Sequence, residues 1–258
     1  MDVVQGIDAL EPSLGRLFVA IGVFDGLHLG HQYLLRELRE AAARHDARPT
    51  VITFDHHPDE ILVGNAPALL CDPDERLAHI QSAGIDVTVI QHFDLALRRT
   101  PFDVFIRRIA ERIELAGFLM TPDSAFGFER AGTPETVAAL GRDLGYDVTV
   151  VPAFELDGQP VSSSEIRRAI AAGDLATAER LLGRPYAVVG LTSRAARDPV
   201  LTFDMPVAMP PAGLYLTRIE DVDEAVDHGV NHAHVQPPGI RLDGIWIGGP
   251  RLRLTFEA

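Results

Sequence analysis

The chain has 258 residues, 47% of them hydrophobic, a formal net charge of −14 at pH 7 and one cysteine. That length holds one large domain, or a medium domain with a small one, and the composition is that of a globular protein. The acidic balance excludes a nucleic-acid partner gripped through a broad basic surface, and Cys71 has no second cysteine for an internal disulfide.

No apolar run approaches the ~20 residues of a spanning helix, and no leading basic and apolar segment resembles an export signal. A cytoplasmic protein without a membrane partner is therefore expected. All 23 basic residues are arginine, which removes a Walker-type phosphate lysine, a Schiff base and a lysine nucleophile. Any phosphate site must be assembled locally, from helix N-termini, a few arginines and a divalent cation.

In chain order, an apolar run over 18–24 ends in Asp25-Gly26, and His28 and His31 open the next segment, 32–44. There Tyr33, Leu34, Leu35, Leu38, Ala41 and Ala42 recur at helical spacing. The pattern predicts strand, tight turn and helix, with both imidazoles at the helix N-terminus. Residues three apart share a helix face, so the two rings point at one spot. Helix N–H groups and the positive end of the dipole lie there as well. Together they suit an anion, phosphate above all.

Residues 49–54 predict a second strand, followed by Asp55-His56-His57-Pro58 in a turn. A helix over 72–83 has Asp72 as its cap and Pro73 at its first position. Residues 85–90 are a β-branched strand. Segment 101–115 reads as a helix with Phe102, Phe105, Ile106, Ile109 and Ile113 on one face, and 117–120 as a short buried strand. Thr133 caps a helix that reaches Gly145, and 147–151 are a strand. Ser162 with Glu165 fits a capping box, and a last helix over 174–182 stops at Gly183.

Strands alternating with helices at this spacing predict an α/β fold with a mainly parallel sheet. Ligands of such sheets sit beyond the carboxyl ends of the strands. His28, Asp55, Asp123 and Ser162 each follow a strand or start the next helix, which predicts one active site. After Pro185 the texture changes. Residues 186–191, 213–217 and 251–256 read as strands around a proline-rich stretch, 199–211. The expected division is 1–185 and a small, mostly β domain, 186–258.

The motifs in order are GVFDGLHLGH (22–31), TFDHHP (53–58), DSAFGFERAG (123–132), VSSSEIRRAI (161–170) and AERLLGRPY (178–186). This order resembles the adenylyltransferase domain of bacterial FAD synthetases, the bifunctional riboflavin kinase/FMN adenylyltransferases. The resemblance implies a Rossmann-like nucleotidyltransferase domain that joins AMP from ATP to FMN, releasing pyrophosphate and giving FAD, with Mg²⁺ accompanying ATP. It implies that His28 and His31 contact the ATP phosphates and, with Arg167, carry the catalytic role. Phe24, Asp25, Gly26, Gly30, Ser162, Ser163 and Ser164 fall on the ATP-binding motifs. His57, Asp123, Phe126 and Gly127 fall on the flavin side.

The chain departs from the family pattern in places. His56 stands where proline is usual, Ser124-Ala125 where Phe-Arg is common, and Ser164 where threonine is usual. The kinase half of the family carries Gly-Phe-Pro-Thr-Ala-Asn; here the corresponding stretch, 198–206, reads DPVLTFDMP. No acidic residue occurs in 235–242, where the kinase glutamate is sought. The expectation is a shortened, degenerate riboflavin-kinase-like barrel without kinase activity.

Plainer readings stand beside these. Asp25 and Ser162 are also ordinary caps, Asp123 an ordinary turn residue, and His57 an ordinary loop histidine. Arg98-Arg99 and Arg107-Arg108 read as exposed helix or loop charges. His228, His232 and His234 follow the acidic run 220–227 and read as a solvated loop rather than a metal site. Two other functions also remain open: a non-catalytic nucleotide- or flavin-binding paralogue, and adenylyl transfer to another small phosphomonoester.

Overall fold

The computed structural model describes residues 1–192, 199–242 and 250–257. It divides into two compact units, Met1–Pro67 with Arg76–Pro160, and Ala68–Glu75 with the described residues from Val161 onward. Asp198, the start of the stretch aligned with the kinase motif, lies outside the described residues.

The elements in chain order begin with β1 (Asp2–Gln5), β2 (Arg16–Ile21), α1 (Leu29–Arg44), β3 (Arg48–Phe54) and α2 (Pro58–Leu62). Then come α3 (Pro73–Ser82), β4 (Val87–Gln91), α4 (Leu95–Arg98), α5 (Phe102–Ala110), β5 (Glu114–Met120), α6 (Pro134–Leu144) and β6 (Asp147–Val150). A small hairpin, β7 (Glu155–Leu156) and β8 (Gln159–Pro160), closes the first unit.

The first unit is a six-stranded sheet in the order β1-β4-β3-β2-β5-β6, parallel throughout. Its strands are nearly continuous apolar runs because helices cover both faces. One face packs Leu17, Val19, Ile52 and Val89 against Phe105, Ile106 and Ile109 of α5. The other packs Phe18, Ala20 and Val51 against Leu35, Leu38 and Ala42 of α1. The chain runs outward from β2 to β3 and β4, then returns to place β5 on the other side of β2. The β2/β5 boundary is therefore the topological switch point, where α/β sheets open a crevice at the strands' carboxyl ends.

Local capping agrees with the sequence. Asp72 Oδ1 accepts from Asp74 N at 2.9 Å, Thr133 and Thr136 form a reciprocal capping box, and Gly145 ends α6 in the left-handed conformation. Segment 101–115 does not stay helical. The helix ends at Ala110, and Glu114 and Leu115 join β5 by pairing with Arg16 and Leu17 of β2. Sheet pairing there overrides a helix-tolerant local sequence. The short strand β1, unsignalled by alternation, exists because it adds to the edge of β4.

The second unit continues with α7 (Ser163–Ala171), α8 (Leu175–Leu182), β9 (Ala187–Leu191), β10 (Val200–Leu201), β11 (Gly213–Asp221), β12 (Val226–Gln236), β13 (Gly239–Leu242) and β14 (Arg251–Phe256). Its antiparallel sheet runs β10-β13-β12-β11-β14-β9, and a Leu191–Thr202 bridge joins the two ends into a nearly closed barrel. Ile166, Ile170, Ala178 and Leu182 of the two helices share one core with Ile219, Val235, Leu252 and Leu254. The stretch holding His228, His232 and His234 is strand β12, not the expected loop. Asp221 makes the tight reversal before it, its Oδ1 accepting from the N–H groups of Asp223 and Glu224. No helix among the described residues is long and apolar enough to cross a membrane.

Candidate functional site

The exit from β2 makes an unusual turn. Phe24 (φ 53°), Gly26 (φ 77°) and Leu27 (φ 38°) all take positive φ before α1 begins. Gly26 adopts that conformation at no steric cost, whereas Phe24 and Leu27 hold it under strain, a pattern that concentrates at functional sites. The turn buries Asp25, which is 2% exposed, and His28, which is 4% exposed.

His28 is the N-cap of α1, and its Nδ1 accepts from His31 N at 3.3 Å. That bond assigns the neutral ring's proton to Nε2. The two imidazoles stack, with centroids 3.7 Å apart and planes 21° from parallel, and the Phe24 ring lies 5.2 Å from His31. Nδ1 of His31 is buried without a hydrogen-bond partner. Burial, and then the neighbouring His28, hold its pKa well below the ordinary histidine value. The convergence expected from the spacing of three is present as a stacked pair.

Next along the sheet, the carboxyl ends of β2, β3 and β5 border a cavity of about 710 Å³. Gly22 and Val23, which lead into the histidine turn, line it together with Phe54 and with Phe118 to Met120. The cavity therefore opens at the topological switch point. Aromatic side chains of Phe93, Phe105 and Phe126 add to its walls.

His57, Asp123, Phe126 and Gly127 all line this cavity, as do Ser124 and Ala125. His57 caps α2, its Nδ1 accepting from Asp59 N at 3.2 Å. Ser124 Oγ accepts from Thr121 N at 2.9 Å and so closes the turn after β5. Gly127 has φ +76°, and a Cβ there would come within 2.6 Å of Phe102 N. Only glycine fits that close approach.

Ser162, Ser163, Ser164 and Arg167 belong to the second unit. Ser162 caps α7, its Oγ accepting from Glu165 N at 3.3 Å, and Arg167 Nε donates to Ala68 O at 2.6 Å. Arg168 pairs with Glu165 on the helix surface.

Sequence reasoning did not single out Arg76. It is 7% exposed, and its guanidinium donates to Val23 O at 3.3 Å and Phe54 O at 2.9 Å, both cavity residues. Its Nε has no partner. Nothing in a surface-like helix pattern marks an arginine as buried.

Asp55 is a second anchor. Its Oδ1 accepts from His56 N and Phe93 N, and its Oδ2 meets His92 Nδ1 at 2.6 Å. Burial pushes the Asp55 carboxyl up, but these hydrogen bonds outweigh it and hold the pKa below the usual range; the contact with Asp55 raises His92. The pair is exposed on the His92 side, so it is a weak contributor to stability.

A profile of the FAD synthetase family matches residues 11–165. The bifunctional riboflavin kinase/FMN adenylyltransferase of Haemophilus influenzae is 34% identical over 192 residues, 74% of this chain and 62% of that protein. The Pseudomonas fluorescens protein of the same description is 31% identical over 246 residues, 92% of this chain and 78% of that one. A Streptococcus pneumoniae crystal structure described as a macrolide-efflux protein matches with a TM-score of 0.80. It is 22% identical and covers 99% of this chain and 88% of that one, a likeness of fold.

Proposed function

This chain belongs to the FAD synthetase family, and we propose that it transfers the adenylyl group of ATP to FMN, giving FAD and pyrophosphate. The observation that carries this reading is the continuity of two features in the first unit. Gly22 and Val23 form the wall of an aromatic cavity, and the same chain then runs into the stacked His28–His31 pair. A flat apolar ring suits the first feature and an anion suits the second.

In this reading a phosphate oxygen of FMN attacks the α-phosphorus of ATP. The bond from that phosphorus to the bridging oxygen breaks, and pyrophosphate leaves. The FMN phosphate is largely ionised near pH 7, its second pKa being about 6, so the step needs no strong base. What it needs is in-line positioning and stabilisation of charge.

His28 and the start of α1 are proposed to face the ATP phosphates on this side, where the first N–H groups of the helix favour an anion. A neighbouring polyphosphate favours the charged form of His31 and offsets the burial that keeps it neutral without ligand. Mg²⁺ enters as part of the ATP complex, carried through phosphate oxygens and water. Ser162, Ser163, Ser164 and Arg167 are proposed as ATP-binding residues on their motif alone. The missing Thr-Asn pair in 198–206 supports a chain without riboflavin kinase activity.

One experiment tests the reading: incubation with ATP, Mg²⁺ and FMN, following FAD and pyrophosphate together. Stoichiometric FAD and pyrophosphate are expected. ATP binding without turnover in the presence of FMN sinks the catalytic reading; pyrophosphate release with a different phosphorylated acceptor sinks FMN. Replacing FMN with riboflavin tests the second half, and accumulation of FMN from riboflavin contradicts the loss of the kinase.

A further inference from the structure

We propose that Arg98 and Arg130 form a phosphate seat at the rim of the first unit's cavity, which takes the phosphomonoester of the acceptor while its planar ring enters the aromatic interior. The proposal rests on the acceptor reading given above. Among the lining residues, only these two carry a permanent positive charge. Asp59, Asp123 and Glu129 line the same cavity, so the two guanidinium groups are the side chains of this lining best suited to hold a dianion.

Both arginines are solvent-exposed and thus at the mouth rather than the floor. Each is held by one bond to a backbone carbonyl, Arg98 Nη1 to Ile61 O at 3.2 Å and Arg130 Nη2 to Asp123 O at 3.3 Å. Neither has a carboxylate partner among the described residues. A single carbonyl contact orients a guanidinium and leaves further N–H groups for a tetrahedral oxyanion.

The backbone presents Arg130 at a cost. Glu129 (φ 53°) and Arg130 (φ 57°) are successive non-glycine residues in the left-handed region, where side chains are strained. The surrounding loop over-determines them. Phe128 N donates to Thr100 O at 2.9 Å, tying this loop to the segment just after Arg98, and Phe126 bridges Gly132.

The test compares FMN with riboflavin, which differ only by the phosphate, using quenching of flavin fluorescence on the full chain without ATP. The wild type is expected to bind FMN roughly 10- to 100-fold more tightly than riboflavin, the range for charge-assisted contacts to a phosphate. The Arg98→Gln/Arg130→Gln variant, with wild-type circular dichroism and Tm, is expected to bind FMN as weakly as riboflavin, with riboflavin affinity unmoved. Arg130→Lys is expected to restore part of the preference, and added salt to erode it.

An FMN preference that survives in the double variant overturns the seat. Equal wild-type binding of both flavins overturns it and leaves the flavin reading standing. If the wild type binds neither flavin, the flavin reading fails. Inorganic phosphate titrated by calorimetry then decides, since binding that the double variant loses keeps the seat and any other result removes it.

Discussion

His31 shows how one side chain couples the fold to the proposed chemistry. Its ring stacks on His28 with Nδ1 buried and unpartnered, and the folded chain holds it neutral well below its ordinary pKa. The unfolded chain binds a proton near pH 6.5 that the folded chain refuses, so stability falls as pH drops through about 6.5. Urea midpoints measured from pH 7 to pH 5.5 should fall for the wild type and fall less steeply for His31→Gln. For activity, His31→Ala should keep the fold and lose roughly 100- to 1000-fold in adenylyl transfer, the usual cost of one charge-stabilising donor. Wild-type turnover in that variant removes His31 from the mechanism. Arg76 belongs to the same scale. Arg76→Met takes the guanidinium donors from Val23 O and Phe54 O and should cost about 1–3 kcal/mol in urea unfolding, part of it recovered by Arg76→Lys. The histidine pair was legible because the helix start can be read locally, and an N-cap residue such as His28 lies beside the third residue of its helix, His31. Arg76 was not, because its burial depends on two strand ends contributed by distant sequence.

At the scale of elements, caps and stops were well written into the chain. Asp72, Thr133, Asp174 and Ser162 each cap the helix that follows, and Gly145 and Gly183 end helices in the left-handed conformation. Thr133→Ala should lower stability by about 0.5–2 kcal/mol, the range for a lost N-cap, readable as a shifted denaturation midpoint. Gly127→Ala is a harsher change, since it meets both positive φ and the Phe102 backbone. It should lower Tm and weaken flavin binding together, because the same loop lines the cavity. The errors lie where pairing decides. Residues 114–115 tolerate a helix, yet β2 recruits them into the sheet. Residues 226–236, with polar residues and a glycine, lack strand character until β11 and β13 supply partners on both sides.

For the whole molecule, separate cores make a physical statement. The first unit packs both faces of its parallel sheet, whereas the second packs α7 and α8 with the barrel strands around its own apolar cluster. A chain with separate cores is expected to depart from two-state behaviour, so scanning calorimetry should give a calorimetric enthalpy above the van't Hoff value. Equal enthalpies mean the two cores unfold as one. By itself the sequence determined the α/β alternation, the helix caps, the histidine pair and the family motifs, because each is a local pattern or an ordered string. Only the tertiary structure decided that β5 lies beside β2 and so opens the cavity. Packing alone placed Arg76 beneath two of its carbonyls and brought Arg98 and Arg130 to its rim. Those outcomes depend on which distant segments meet, and burial and electrostatics follow from that meeting rather than from neighbours in the chain.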